Sequence, residues 1–485
     1  MLLYIILGLF VFGIFLIVIF DKGDSGHKIA WLLLVSLLPF VGIGIYLLFG
    51  MPHRFYWLFK RRHAASEKLF RSEGDEKMKR LLSGSRGDGP AVDGNFEPLA
   101  RFFSEGVKAY ALTDCNDFEI ITSGRRKLEL LMKDISAAKH SIHIEYYHFG
   151  KDKGSTIIRD LLKRKAAEGV EVRFLNENVA NLPIPASYYE KMRKSGIEVE
   201  NFTNPSQGLI SFTTKLNYRN HRKIVVIDGK IGYTGGMNIN NHYFFQWRDT
   251  HLRIEGNAVA SLQASFIDSW ITAGGKLKRP LPDYFHEFTP VPGDDAPEKN
   301  LFHGKTVQVI ADDPSSPWPA IQMGYEWMLQ NAKDYIYIQS PYFVPPTSFL
   351  SAIKTAALRG VDVRVMLPQD VDTIFMGPAN RSYYEECLEA GVKIYERGGE
   401  FIHSKTFVCD DYLSQIGTAN IDIRSFDINY EINTYIYDAP TARRMKEIFL
   451  SDMPLCREIK LEEWQERKWF QNLFPRIVQL FSGVL

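Results

Sequence analysis

Two short stretches of the chain carry the same three polar residues at the same spacing. Residues 220–229 read NHRKIVVIDG, and residues 402–411 read IHSKTFVCDD. Each stretch holds a His, a Lys two positions later and an Asp five positions after the Lys; these are His221, Lys223, Asp228, His403, Lys405 and Asp410. An imidazole can act as a nucleophile or as a general acid and base, and an ammonium group can stabilise an anionic transition state. The doubled pattern therefore predicts chemistry on an anionic substrate.

The correspondence between the two stretches continues beyond these residues. Asn238 falls opposite Asn420, and the acid Asp249 falls opposite the acid Glu431, each pair being 182 positions apart like the two histidines. A single His-x-Lys-x4-Asp pattern is weak evidence, because a chain with 12 His residues can contain one by chance. Two patterns in register, each followed by an Asn and an acid, indicate a duplicated active-site element.

The local pattern explains the choice of residues. KIVVIDGKIGYTGG indicates a β-hairpin with an Asp-Gly turn. His221 and Lys223 should share one face of the first strand, because side chains alternate along a strand. Two packed lobes would bring both His-Lys pairs to one cleft, with an acid available to orient each ring. Such a set suits a phosphodiester: Lys and Asn hold the non-bridging oxygens, one His attacks phosphorus, and the other protonates the leaving alkoxide.

Two other roles for the histidines, in packing and in metal binding, fit the sequence less well. A lone His in a strand is usually a packed or surface residue, but the pairing argues against that here. A metal site would use His and Asp ligands, yet the Lys beside each His would repel a divalent cation, and no Cys or carboxylate cluster completes a shell. We therefore expect neither a metal nor another cofactor. The four widely spaced cysteines predict free thiols: Cys115, Cys387, Cys409 and Cys456.

Repeated strand and helix patterns surround these residues. SIHIEYYHF at 141–149 and GVEVRFL at 169–175 in the first half correspond to YIYIQSPYF at 335–343 and GVDVRVMLP at 360–368 in the second. Alternating strands and helices predict an α/β fold with a largely parallel sheet in each of two similar lobes. We place lobe 1 at 107–278, a linker at 279–305, and lobe 2 with a C-terminal helix at 306–485. Four aromatic residues end the strands that lead toward the cleft and are candidates for its wall: Tyr146, Tyr147, Tyr342 and Phe343.

The chain ends differ from this globular part. Of its 485 residues 45% are hydrophobic and 24% charged, with a net charge of +1, so no overall field favours nucleic acid. Residues 1–20 and 29–50 are uncharged, and each run could cross a hydrocarbon core of about 30 Å. A cleaved signal peptide is the alternative for the first run, but a basic start and a small-residue cleavage site are absent.

We therefore predict a two-helix transmembrane hairpin over 1–50, followed by an interfacial basic segment and linker over 51–106. The basic residues after the second run predict a multi-pass membrane protein with its large C-terminal part, which carries the two His-Lys pairs, in the cytoplasm. The C-terminal WFQNLFPRIVQLFSGVL is apolar enough to touch a membrane, although a helix docked on the protein is also consistent with it.

These residues resemble the phospholipase D superfamily, whose mark is the doubled His-x-Lys-x4-Asp motif followed by an Asn and an acid. The resemblance covers about residues 107–485, and within the superfamily the chain resembles the bacterial cardiolipin synthases. Supporting segments are PFVGIGIYLLFG, IHIEYYHF, NHRKIVVIDGKIGYTGGMNI, WRDTHLRIEG, QSPYFVP and FIHSKTFVCDD. The resemblance implies two α/β lobes around one shared active site, in a protein of the bacterial inner (plasma) membrane.

The resemblance also implies a reaction in which two phosphatidylglycerols give cardiolipin and glycerol, with phosphatidylglycerol as donor and acceptor and the bilayer as partner. His221 and His403 would be the nucleophile and the general acid and base, and Asp249 and Glu431 would orient them. The phosphate would be held by Lys223, Lys405, Asn238 and Asn420, while Asp228 and Asp410 tend to be structural in the family. Alternatives are a hydrolytic phospholipase D or a membrane-bound nuclease with the same site, a synthase with another phospholipid donor, and a non-catalytic membrane scaffold.

Overall fold

The structure is a computed structural model, and it describes residues 2–19, 25–49, 56–83, 92–107, 111–202, 218–288 and 300–480. Its centre is one mixed β-sheet of 15 strands in the order β17-β12-β11-β9-β13-β14-β16-β8-β1-β7-β6-β5-β2-β3-β4. Two further short strands, β10 and β15, pair with each other. The strands are β1 Leu112–Ile121, β2 Ser141–Tyr146, β3 Glu171–Asn176, β4 Glu198–Asn201, β5 Lys223–Ile227, β6 Ile231–Gly235, β7 His251–Gly256, β8 Leu301–Asp312, β9 Tyr335–Gln339, β10 Phe343–Val344, β11 Asp362–Pro368, β12 Lys393–Arg397, β13 Thr406–Cys409, β14 Leu413–Gly417, β15 Ile421–Asp422, β16 Glu431–Tyr437 and β17 Cys456–Ile459.

Helices cover the sheet and form the N-terminal part of the chain. Before the sheet they are α1 Leu2–Ile19, α2 Ser25–Leu37, α3 Pro39–Phe49, α4 Tyr56–Glu73, α5 Glu76–Ser83 and α6 Glu97–Arg101, the last continued by a π-helical turn Phe102–Gly106. In lobe 1 they are α7 Gly124–Ala137, α8 Lys153–Ala167, α9 Ala186–Arg193, α10 Asn241–Phe245 and α11 Val259–Thr272. In lobe 2 they are α12 Ala320–Asn331, α13 Thr347–Leu358, α14 Met376–Arg381, α15 Tyr384–Glu389, α16 Ile423–Asp427, α17 Ala439–Asp452, α18 Leu461–Gln465 and α19 Trp469–Gln479. Short 3-10 turns lie at Leu281–Tyr284 and Met453–Leu455.

The predicted repeat is present, but the prediction of a largely parallel sheet is wrong. Strands β2, β3 and β4 pair in parallel through crossover helices, as do β9, β11 and β12 in the second half. The other ladders of the large sheet are antiparallel, among them β5–β6 and β13–β14, which are the hairpins that follow the two His-Lys pairs. Hairpin connections are short and can join only antiparallel strands, so the sheet is mixed.

The two lobes share their sheet and part of their core. Strand β1 of lobe 1 and β8 of lobe 2 run side by side, with Leu112 opposite Gln308 and Phe118 opposite Phe302. One apolar cluster belongs to each lobe, and a third draws buried side chains from both, including Ile224 and Phe266 of lobe 1. This continuity keeps the two His-Lys pairs in a fixed relation.

The N-terminal region departs from the predicted hairpin of two spans. The second uncharged run is not one helix, because α2 ends at Leu37 and α3 begins at Pro39. Proline disfavours helical geometry at the residue before it, which accounts for the break. The two pieces fold against each other, with the rings of Trp31 and Tyr46 5.2 Å apart and Gly42 against the backbone of Leu34. Within the described ranges, no helix combines the length and hydropathy needed to cross a membrane.

The segments predicted as linkers contain structure as well. Helices α4 and α5 pack on lobe 1, where Met78 is buried, and α6 with its π-helical turn buries Leu99 and Phe103 in lobe 2. Between the lobes, Leu281 and Tyr284 of the 3-10 turn are buried and β8 already begins at Leu301, while residues 289–299 lie outside the described ranges. Short apolar patterns within polar sequence therefore dock onto the lobes rather than forming free linkers.

The cysteines form no disulfide, as expected.

Candidate active site

The two His-Lys pairs lie where the lobes meet. His221 lies two residues before Lys223, the first residue of β5, and Lys405 immediately precedes β13, with His403 two residues earlier. Each His backbone N–H donates to the other lobe: His221 to the Tyr430 carbonyl at 2.9 Å, and His403 to the Arg248 carbonyl at 2.8 Å. The segment that carries each His is therefore anchored to the segment that precedes the acid of the opposite lobe.

Each imidazole is oriented by the acid of the other lobe. Glu431 of lobe 2 holds Nδ1 of His221 with its oxygens 2.9 and 3.0 Å away. Asp249 of lobe 1 holds Nδ1 of His403 at 2.8 Å. Both acids are fully buried, and the two imidazole residues are only 7% and 5% exposed. With Nδ1 engaged, Nε2 is the ring atom left for chemistry in both cases.

The two lysines are buried beside the rings. The ammonium of Lys223 donates to the His221 carbonyl at 2.7 Å, and that of Lys405 donates to the His403 carbonyl at 2.7 Å. Nζ of Lys405 is also 2.8 Å from Nδ1 and 3.1 Å from Nε2 of His403. An ammonium has three donors, so Lys223, with one hydrogen bond in the described part of the chain, retains capacity for an anion. At Lys405 an anion would take the place of the contacts with the His403 ring.

The two asparagines differ in their contacts. Asn238 donates to the Tyr243 hydroxyl at 2.9 Å and accepts from the His148 backbone N–H at 3.2 Å. The side-chain oxygen of Asn420 is buried and has no hydrogen-bond partner in the described part of the chain. A buried acceptor without a donor is costly, so this oxygen is suited to a hydrogen-bond donor of a bound ligand, such as a hydroxyl.

Asp228 and Asp410 lie away from the imidazoles. Asp228 follows β5, about 16 Å along the strand from Lys223 at roughly 3.3 Å per residue. Its carboxylate accepts the backbone N–H groups of residues 139, 140 and 141 at 2.7–2.8 Å. Asp410 does the same for residues 333, 334 and 335 at 2.8–3.1 Å, and both Asp residues have φ near +50° in tight hairpin turns. These contacts fit a structural role.

The electrostatics of the site keep both imidazoles neutral. Burial, reinforced by the charges of Lys223 and Lys405, lowers the pKa of His221 to about 4 despite the opposing effect of Glu431. Burial and Lys405, together with Lys223 and His221, hold the pKa of His403 well below its usual value. A neutral imidazole has a free lone pair, which a nucleophile requires.

The acids and lysines are shifted as well. Burial raises the pKa of Asp249 to about 6 and lowers that of Lys405 to about 8. Burial also depresses the pKa of Lys223. Glu431 is the exception: its contacts with His221 outweigh burial and lower its pKa. Glu431 is therefore the more firmly ionised of the two acids.

The four candidate wall aromatics divide into two groups. The ring of Tyr147 meets that of His221 edge-on at 4.7 Å, and the Lys223 ammonium lies 5.3 Å from its centre. Tyr342 donates to Asp372 at 2.7 Å in the loop after β11. Tyr146 and Phe343 are buried in the cores of lobes 1 and 2. Tyr147 and Tyr342 remain candidates for the wall, and the other two are packing residues.

Several site residues were missed in the sequence. The Tyr243 hydroxyl lies 3.3 Å from Nε2 of His403, and the Trp247 ring is 5.6 Å from the same imidazole. Position 425, the counterpart of Tyr243 in the repeat, is a Ser. Comparing the two halves of the sequence therefore could not identify Tyr243 as a site residue. Thr418 donates to Glu431 at 2.6 Å, and its counterpart in lobe 1 is Gly236.

Gly236 has a specific reason to lack a side chain. A Cβ at this position would lie 2.1 Å from Oδ1 of Asp249. In the sequence, Gly235 and Gly236 are consistent with an ordinary turn and do not by themselves indicate a functional role. The two halves thus support their acids differently, because the Thr418 hydroxyl donates to Glu431 whereas the equivalent position beside Asp249 carries no side chain.

Comparison with known proteins finds family models and full-length relatives that agree with one another. The family described as "Cardiolipin synthase, PLD-like domain" matches residues 131–270 and 325–453, and "Phospholipase_D-nuclease N-terminal" matches residues 8–50. The major cardiolipin synthase of Bacillus subtilis is 36% identical over 484 residues, covering 97% of this chain and 96% of the relative. A cardiolipin synthase of Listeria monocytogenes is 35% identical over 510 residues, covering 100% of this chain and 99% of that protein.

Among solved structures, a phosphatidylserine synthase of Haemophilus influenzae shares the fold. Its TM-score is 0.57 at 16% sequence identity, and the match covers 76% of this chain and 95% of that one. At this identity the likeness concerns the fold alone. The sequence matches run through both catalytic halves and nearly the full length, and the chain therefore belongs to the cardiolipin synthase family, with two phospholipase D-like domains.

Proposed function

We propose that the protein is a membrane-bound phosphatidyltransferase that condenses two phosphatidylglycerol molecules into cardiolipin and glycerol. The observation that carries this proposal is the crosswise pairing of His221 with Glu431 and of His403 with Asp249. It supplies two oriented imidazoles at one site, and a two-step exchange at phosphorus uses one as the neutral nucleophile and the other, once protonated, as the general acid. Family membership supports the lipid product.

In the first step, Nε2 of His221 attacks the phosphorus of the donor lipid. The N–P bond forms, the bond from phosphorus to the glycerol head group breaks, and the departing alkoxide takes a proton from Nε2 of His403. Lys223, Lys405 and Asn420 face the non-bridging oxygens, and Asn238 can join them by exchanging its bond to Tyr243. Their fixed positive charge and donors stabilise the five-coordinate transition state.

In the second step, the terminal hydroxyl of another phosphatidylglycerol attacks the phosphatidyl-histidine. His403 accepts the proton of that hydroxyl, the new O–P bond forms, and His221 leaves with its lone pair restored. One phosphodiester replaces another, so the exchange is close to balance and needs no nucleotide. The low exposure of both rings, 7% and 5%, favours a lipid hydroxyl over water at this step.

The difference between the two acids supports His221 as the nucleophile. An attacking imidazole gains positive charge, and the firmly ionised Glu431 stabilises that charge on His221. His403 must instead acquire a proton to act as an acid. The bound phosphate anion raises the pKa of His403 toward the value that this role needs, because an opposite charge favours the protonated ring.

The bilayer is the source of both substrates in this proposal. Several large apolar side chains on the N-terminal helices are exposed, including Phe12, Leu33 and Phe40. The C-terminal helix α19 docks on lobe 2 through Val478 and an ion pair between Arg476 and Glu385. Its outer face exposes a second apolar set: Trp469, Phe470, Leu473, Phe474, Ile477 and Leu480. Apolar side chains on two separate surfaces favour contact with lipid.

The basic residues after the second uncharged run support lobes on the cytoplasmic side of a multi-pass protein. Cysteines placed in residues 21–28 and at Gly87, then labelled in intact cells with an impermeant reagent, test this. Labelling at 21–28 alone is expected. Labelling at Gly87 instead would reverse the orientation.

The function itself is tested with the purified full chain in detergent micelles. Phosphatidylglycerol is the only lipid supplied, and the products are identified by mass. Cardiolipin and glycerol in equal amounts, formed equally well in excess chelator, are expected. Phosphatidic acid without cardiolipin would make the protein a hydrolase, and cardiolipin only after addition of another phospholipid would change the donor.

A further inference from the structure

A buried histidine outside the two motifs lies beneath the site. His63 belongs to helix α4, next to the N-terminal helices, and is 6% exposed. Its Nδ1 is 3.0 Å from Asp268 on α11, and its Nε2 is 3.1 Å from the Tyr430 hydroxyl. The imidazole also stacks on the Tyr430 ring, with centroids 5.9 Å apart. Both ring nitrogens and one ring face are therefore engaged.

Tyr430 connects this histidine to the reacting ring. Its carbonyl accepts the backbone N–H of His221 at 2.9 Å, and the next residue, Glu431, holds Nδ1 of the same His. Arg222 braces the connection, because its Nε donates to the Glu431 carbonyl at 3.2 Å and its guanidinium lies 5.2 Å from the Tyr430 ring centre. Any movement of Tyr430 therefore displaces both the His221 backbone and its orienting acid.

The other half of the site is braced without the N-terminal segment. There the residue before the acid is Arg248, whose carbonyl accepts the His403 N–H at 2.8 Å. The Arg248 guanidinium pairs with Asp452 on α17 at 3.0 Å. Arg248 thus combines in one residue the cation and the backbone contact that the first half divides between His63 and Tyr430. The two halves therefore carry the same reacting residues, but only the first half depends on a residue of the N-terminal segment to hold its histidine in place.

The charges around His63 favour its protonated form. Burial opposes protonation, but Asp268 and Asp313 outweigh it and raise the pKa of His63 to about 9. The other charged groups nearby are Arg222, which is 3.5 Å from Asp313, and Glu145, whose pKa burial raises to about 7. Ligand atoms of His63, Asp268 and Asp313 lie within 4.8 Å of one another, a spacing that a metal could use. The imidazolium and Arg222 already supply the positive charge, so an ion pair accounts for the cluster.

We propose that His63 is a positioning residue of the first catalytic half, which holds Tyr430 in place under His221 and so makes turnover depend on the docking of helix α4. This inference rests on the proposed function. It adds a role for the segment next to the N-terminal helices, since seating that segment completes the support of one reacting imidazole.

The first test compares four variants of the full chain: His63→Gln, Tyr430→Phe, the double variant that carries both changes, and the control Glu67→Gln. Glu67 is an exposed residue of the same helix whose ion pair is with Arg71 at the surface. We expect His63→Gln to lower kcat about tenfold with KM unchanged, as a small misplacement of a reacting group does. Tyr430→Phe should add little in the double variant, because both changes break one connection. Glu67→Gln should match the parent enzyme.

The second test uses stability against pH. The folded pKa of about 9 exceeds the ordinary value of 6.5, so the stabilisation by His63 is fully present below pH 6.5 and is lost as pH rises through 9. The difference in denaturation midpoint between the parent and His63→Gln should therefore shrink from pH 6.5 to 10. A packing role alone would leave that difference constant.

Consumption of phosphatidylglycerol is measured, so kcat is defined whichever acceptor is used. A parent enzyme that makes phosphatidic acid instead of cardiolipin would refute the proposed function and leave the test of His63 intact. An unchanged kcat in His63→Gln, or a stability difference independent of pH, would overturn the role of His63.

Discussion

Glu431 and His221 lie 210 positions apart in the chain and in different lobes, yet the carboxylate holds Nδ1 of the imidazole at 2.9 Å. Asp249 and His403 repeat the relationship in the opposite direction at 2.8 Å. Each reacting ring is thus oriented by the half of the protein that does not carry it. Neither half contains a complete set of catalytic groups.

Removing either acid should inactivate the histidine of the opposite motif. Glu431→Gln and Asp249→Asn are each expected to lower kcat on the order of 10³-fold, because the ring loses its tautomer and the stabilisation of its charged form. Glu129→Gln, at an exposed position of α7, is the control. Label trapped on His221 from radioactive phosphatidylglycerol should vanish with Glu431→Gln. Undiminished trapping would show that the acid does not serve His221.

Gly236 should be intolerant of a methyl group. In Gly236→Ala the new Cβ would lie 2.1 Å from the Asp249 carboxylate, so the acid must move away from His403. We expect at least a hundredfold loss of kcat from such a displacement, with the fold retained. Gly94→Ala, where a Cβ meets nothing within 4 Å, is the matched control. Activity and circular dichroism of the two variants decide the matter, and normal turnover in Gly236→Ala would refute the steric argument.

The pH profile of kcat/KM should be bell-shaped. Asp249 has a pKa of about 6, so below that pH it becomes neutral and ceases to stabilise a charged His403. Lys405 has a pKa of about 8, so above that pH the site loses a positive charge for the phosphate. Activity should therefore fall on both sides of a maximum near neutrality. Asp249→Asn should remove the acidic limb from the residual activity, and a persisting limb would assign it to another group.

Alanine substitutions of the aromatic residues should differ in their effect on the ratio of products. Tyr147→Ala opens the space beside His221 and should shift product from cardiolipin toward phosphatidic acid while donor consumption continues. Tyr146→Ala should lower stability by about 3–5 kcal/mol, as large core truncations do, without changing the product ratio. Mass analysis of products and urea denaturation measure the two effects. An unchanged ratio in Tyr147→Ala would reduce that residue to packing.

Much of the site was predictable because its residues recur in register. The His, Lys, Asn and acid of one half each have a counterpart at a constant offset, and the Asp-Gly turn after β5 indicated its hairpin. The crosswise assignment of the acids was not predictable, since it depends on how the lobes face each other. Tyr243, Gly236 and His63 were missed because none has an identical counterpart in the other half. The break before Pro39 was visible in the sequence, but overall hydropathy obscured it.

The shared sheet has a kinetic consequence. Strands β1 and β8 are hydrogen-bonded neighbours, so separating the lobes would break a ladder in the middle of the molecule. If the lobes stay joined at that junction during turnover, the donor, the departing glycerol and the second lipid share one cleft between them. When a single lipid serves both steps, its excess can occupy the cleft before glycerol has left. The turnover rate should then reach a maximum as the lipid concentration rises and decline at higher concentrations, because excess lipid delays the release of glycerol.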